Sequence, residues 1–218
     1  MQNSEDTFID KEARMQWEQF AKEMRFCYIE KPRKEVELPY LCSLKPNRPL
    51  PSLSEVKITD QTRKFVDSIF NGAAIGQYNS FDFSIFYALC NGEESENSHY
   101  VHIILPFKSP SNINLAIKYK SLWDDIISIF KPSATIKFPE NKKLNKLITV
   151  KTDDINYSKK LFTNILLQNA LYNLFSFSWD TAIYNNGIHY YESGTIIAKE
   201  QALKVMELMS SVAAFLQS

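Results

Sequence analysis

The chain has 218 residues, 44% of them hydrophobic and 13% aromatic, and its 25 basic side chains balance 25 acidic ones. A chain of this size buries roughly 70% of the surface its unfolded form exposes, so it can fold without metal or disulfide staples. Zero net charge excludes a global field that would steer it toward nucleic acid, an anionic membrane or a basic partner, and leaves any charged function to a local patch.

The stretch from Met1 to Asp10 is polar and acidic, without the positive start and apolar run of a secretory signal. Lys11 to Met24 follows, with Ala13, Trp17, Phe20, Ala21 and Met24 at three- and four-residue steps, which predicts an amphipathic helix. Residues 31–51 hold Pro32, Pro39, Pro46, Pro49 and Pro51, and prolines fix the backbone and remove donors, so a proline-rich wrapping arm is expected there. Gly72-Ala73-Ala74-Ile75-Gly76 is expected to form a turn or bulge, since no Lys-Ser/Thr follows to make it a phosphate loop.

Period-two alternation begins at Phe81, Phe83, Ile85, Tyr87 and Leu89, and returns at Val101, Ile103, Leu105 and Phe107. The polar run Asn91 to Ser98 between them reads as the loop of an antiparallel pair. Leu115, Ile117 and Tyr119 suggest a further strand. Leu122, Trp123, Ile126, Ile127 and Phe130 suggest a short helix stopped at Lys131-Pro132.

Short strands are expected near Thr135 to Phe138 and Leu147 to Val150. Asp153 or Asp154 then caps one long helix to about Leu174, burying Leu161, Phe162, Ile165, Leu166, Ala170, Leu171 and Leu174. Phe177, Trp179, Thr181 and Ile183 alternate as a strand, and Asn185-Asn186-Gly187 turns it into Ile188 to Glu192. A helix from about Ala198 to Leu216 closes the chain. The fold class expected is α+β, an antiparallel sheet or sheets with helices packed on one face. Residues 1–218 are expected to form one compact unit with room for sub-lobes at 1–110 and 111–218.

The run Leu147-Ile148-Thr149-Val150-Lys151-Thr152-Asp153-Asp154, then Tyr157, Leu161, Phe162 and Leu166, the Trp179 to Tyr191 hairpin and the closing helix carry a resemblance. They resemble uncharacterised bacterial α+β proteins in which a V-K-(S/A/T)-x-D strand leads into a leucine-rich helix, a hairpin and a terminal helix. Those proteins usually carry Phe-Asp ahead of the strand, where this chain has Leu144-Asn145-Lys146. The resemblance implies a bacterial α+β fold, and no catalytic residue or ligand.

Several chemistries fail on spacing. His99 and His102 are an odd number of residues apart, so on a strand they face opposite ways and cannot share a metal; no metal site is expected, and no cofactor. No G-x-S-x-G elbow is present, and Cys90 beside His99 or His102 would be a dyad made only by folding. Adjacent carboxylates, Asp124-Asp125 and Asp153-Asp154, diverge on a helix and suit capping. Phe81, Phe83, Phe86 and Tyr87 lack the glycine-aromatic spacing of an RNA-stacking sheet and are assigned mainly to the core.

Three cysteines, Cys27, Cys42 and Cys90, without a C-x-x-C pair fit a reducing compartment. Nor is there a run of about 18 apolar residues to span a bilayer. The expected location is the cytoplasm, with translocation by a non-Sec secretion system as the alternative.

Two features remain. Between Lys131 and Lys160 eight lysines face Glu140, Asp153 and Asp154. Lys142, Lys143 and Lys146 are the candidate anion-binding residues, although all five arginines lie within the first 63 residues and the planar fork suited to phosphate is missing. The final helix carries Ala202, Met206, Met209, Ala213 and Leu216 on one stripe and Val205, Leu208, Val212 and Phe215 on a second. Either it is wedged inside the fold or the second stripe binds a partner. The expected function is a non-catalytic protein-interaction or adaptor protein of a bacterial cytoplasm, with another protein as partner, nucleic acid disfavoured and no membrane insertion. The alternatives are a type IV secretion effector or secretion-system adaptor, and a hydrolase or small-ligand-binding enzyme whose groups converge only on folding.

Overall fold

In a computed structural model the described residues are 15–29, 70–90, 98–108, 115–120, 135–194 and 196–217. The arm at 31–51, the loop at 91–97 and the helix expected at 122–130 lie outside them. The described residues form an α+β fold of antiparallel strands and helices in two compact units. One comprises residues up to Ile104 together with Tyr191–Met206, the other Leu105–Tyr190 together with Glu207–Ser218.

The first unit opens with helix α1 at 15–24, which buries Trp17, Phe20 and Ala21 as the spacing requires. It ends in a glycine-free Schellman turn. Arg25 takes φ 57°, the Phe26 N–H donates to the Ala21 carbonyl, and the Arg25 N–H donates to that of Lys22. Strands β1 (Cys27–Ile29), β2 (Phe70–Tyr78), β3 (Phe81–Cys90) and β4 (Ser98–Pro106) then pair in that order. The β2–β3 turn is Asn79-Ser80, both at positive φ (50° and 68°), the pattern of a type I′ hairpin. Gly72 to Gly76 lies within β2, where the register shifts between Phe70 and Ala73, so the expected irregularity is a bulge and not a turn.

In β3, Phe83 and Ile85 are buried and Asp82 is exposed, as alternation demands. Alternation fails in β4, where Val101, His102, Ile103, Ile104 and Leu105 are all buried, the mark of a strand covered on both faces.

The second unit contains β5 (Leu115–Tyr119), β6 (Thr135–Ile136), α2 (Lys142–Leu147), β7 (Ile148–Thr152), α3 (Ile155–Leu161), α4 (Ile165–Phe177) and β8 (Thr181–Tyr184). It also holds most of β9 (Gly187–Ser193) and the second half of α5 (Lys199–Leu216). Its strand order is β9-β8-β5-β7-β6. Pairing register aligns Ile136, Val150, Ile117, Ile183 and Ile188 into one row across these five strands, every member at most 5% exposed. The opposite face carries Lys118, Thr149, Lys151, Ala182 and Tyr184, and none of these is buried. Lys118 Nζ sits 5.5 Å from the centre of the Tyr184 ring.

The long helix expected from Asp153 or Asp154 to Leu174 is two helices. Asp154 does cap the first, its carboxylate accepting from the Tyr157 N–H at 2.9 Å. The chain then leaves helical geometry at Phe162 to Asn164, where Asn164 Oδ1 accepts from the N–H groups of Leu166 and Leu167. A second N-cap inside the apolar run resets the helical phase. Leu167 and Phe175 therefore join Leu171 and Leu174 in the core, while Ile165 and Leu166 turn outward. The strand expected from Phe177 begins only at Thr181, because α4 persists through Phe177.

Candidate functional site

Ser178 shapes the most exposed aromatic feature. It ends α4, its N–H donating to the Leu174 carbonyl at 3.0 Å, and its Oγ accepts from the Asp180 N–H at 3.2 Å. With Ser178 held inside, its neighbours in the chain are thrown out: Phe177 is 45% exposed and Trp179 71%. Tyr119, at the end of β5, meets the Trp179 indole edge to face, with ring centres 6.2 Å apart and planes at 67°. Sequence reading missed this pair. Alternation placed Trp179 in a strand, and the signal available was the absence of any charged residue from Leu161 to Trp179.

The same unit has a recess lined by Phe107, Leu115, Tyr157, Ser158, Leu161, Tyr184, Asn185 and Leu216. It holds little more than a water molecule, against roughly 300–1,000 Å³ for small-molecule sites. Its one buried hydroxyl, on Ser158, donates to Thr152 Oγ1 at 2.8 Å and so supports the β7–α3 corner.

The residues singled out from sequence are dispersed. Lys142, Lys143 and Lys146 all lie exposed on α2. Of the stripe read as partner-binding on α5, Val205 and Val212 have no exposed surface, and Leu208 and Phe215 are half-buried. Ala202, Met206, Met209 and Ala213 on the neighbouring stripe are equally buried, so the helix is wedged inside the fold.

Within β4, residue 99 pairs with Leu89 and His102 with Phe86, so the two histidine positions fall on opposite faces as expected. The His102 ring stacks on Phe86 at 5.0 Å, and burial lowers its pKa from 6.5 to about 4. Cys90 pairs with Ser98, four residues, about 13 Å, along the strand from His102. Cys27 is exposed and free. Among the described residues no His, Cys, Asp and Glu side chains converge on a point that could hold a metal, and no helix is long and apolar enough to cross a membrane.

No family model matches the chain, and no curated protein matches it. Its fold is similar to that in the crystal structure of the mycobacterial trehalose monomycolate transport factor A, TtfA, with a TM-score of 0.53 and 11% identity over 94% of each chain. At that identity the likeness extends to the fold.

Proposed function

We propose that this chain is a non-catalytic interaction protein, an adaptor or accessory factor that docks another protein on the surface around Trp179 and Tyr119. The observation that carries the reading is the indole of Trp179, 71% exposed and braced by Tyr119. An aromatic anchor held rigid before binding loses little freedom on association, and tryptophan and tyrosine dominate the energetics of protein interfaces. Charge is absent from Leu161 to Trp179, as the centre of an interface requires. The neighbour of like fold is named a transport factor, a role compatible with assisting another protein.

The test is co-purification of the tagged chain from its native host. A stoichiometric partner is expected with the natural chain and lost with Trp179→Ala, at an unchanged unfolding midpoint. Retention of the partner by Trp179→Ala, or recovery of the natural chain alone, would overturn the proposal.

A further inference from the structure

At the far end of α4 from Trp179, two aliphatic side chains stand in solvent. The helix turns Leu167, Leu171 and Leu174 inward, which leaves Ile165 63% and Leu166 64% exposed. A chain of hydrogen bonds ties the start of α2 and the end of α3 to the first turns of α4. Asn141 Nδ2 donates to Gln168 Oε1 at 3.2 Å, and Gln168 Nε2 donates to the Phe162 carbonyl at 2.7 Å. Lys142 and Lys143 directly follow Asn141, Lys159 and Lys160 lie within a turn of Phe162, and all four are exposed. The exposed acids nearby in the chain are Glu140, Asp153 and Asp154, the last engaged in capping α3, so lysines outnumber acids in this segment.

We propose that this end of α4 is a peripheral docking patch for an anionic lipid surface. Ile165 and Leu166 enter the headgroup region, the four lysines meet lipid phosphates, and none of the described helices crosses the bilayer. The charge type decides for a membrane over an acidic protein. Protein interfaces are depleted in lysine and enriched in arginine, whose planar fork fits a fixed carboxylate, whereas a fluid anionic surface asks only for point charges near it. Two exposed aliphatic side chains with flanking lysines supply the paired apolar and electrostatic attraction that reversible surface binding needs. The patch lies roughly 20 Å along the helix from Trp179, so the two surfaces can be tested apart.

Sedimentation with vesicles of equal parts phosphatidylglycerol and phosphatidylcholine, and of phosphatidylcholine alone, is the direct experiment. The chain is expected to adsorb to the anionic vesicles at low salt, to release as salt rises, and to ignore the neutral ones. Replacing Lys142, Lys143, Lys159 and Lys160 together by Gln should weaken adsorption by about 600-fold, at about fivefold per lysine. Ile165→Ser with Leu166→Ser should weaken it about tenfold without moving the unfolding midpoint, and Trp179→Ala should leave it unchanged. No adsorption to anionic vesicles, or equal adsorption of the quadruple lysine variant, overturns the proposal. A salt-sensitive protein complex without vesicle adsorption overturns it in favour of an acidic protein partner.

Discussion

Gly187→Ala isolates one close approach of backbone to backbone. Gly187 opens β9 and is not in the left-handed region, so the asparagine-glycine signal before it does not explain the residue. A Cβ built there would sit 2.6 Å from the Leu105 carbonyl oxygen and 3.3 Å from Pro106 Cα. Since a carbon meets a carbonyl oxygen comfortably at about 3.3 Å, β9 would have to withdraw from β4 by about 0.7 Å. Both partners are backbone, so no side chain can swing aside, and overpacking of this kind costs about 1–3 kcal/mol.

With a urea m-value of about 2 kcal/mol/M, a loss of that size lowers the unfolding midpoint by roughly 0.5–1.5 M at constant m. The Phe107 N–H, which donates to the Asn186 carbonyl at 2.8 Å, should lose protection from hydrogen exchange in the same variant. An unmoved midpoint, or a lowered midpoint with Phe107 still protected, would refute the steric argument.

Three further outcomes follow from the geometry. Asn164→Ala removes the acceptor for the Leu166 and Leu167 N–H groups and should destabilise the second unit by about 1 kcal/mol, whereas Asn164→Asp should retain the cap. Because burial holds the folded-state pKa of His102 at about 4 against 6.5, the unfolded chain binds the proton more readily between those values. Stability should therefore fall as pH drops from about 6.5 to 4, by at most about 3 kcal/mol, and pH-dependent urea titrations of His102→Phe should show that slope flattened. Ile117→Ala, at the centre of the five-strand row, should cost about 2–5 kcal/mol in the same titrations, and Lys118→Ala on the opposite face within about 0.5 kcal/mol.

Most of the architecture was legible wherever a local pattern had no rival. Trp17, Phe20 and Ala21 announced α1, and Phe83 and Ile85 announced β3. The succession β7, α3, α4, β8, β9, α5 follows the strand, helix, strand, strand, helix read from the last third, with the one expected helix divided in two. Reading failed where the deciding term was not local in that sense. Asn164, three residues before Leu167, was the sign of a second cap, and apolar spacing that continues across it from Leu161 to Leu174 concealed it. Helix α2 is too short for periodicity to declare, and it is held by Asn145, whose Oδ1 accepts from the Phe138 N–H at 2.8 Å and whose Nδ2 donates to the Phe138 carbonyl.

Sequence alone determined that this chain builds antiparallel strands and amphipathic helices, because the period of apolar residues is a property of each segment by itself. Only tertiary structure decided which of two apolar stripes on α5 would face solvent, and its answer was neither. It also decided that Trp179 and Tyr119 would meet outside the core, and that Asn141 at the start of α2 would meet Gln168 on α4. Spacing along a chain fixes what a segment can bury, but what it leaves exposed depends on neighbours brought from elsewhere in the fold.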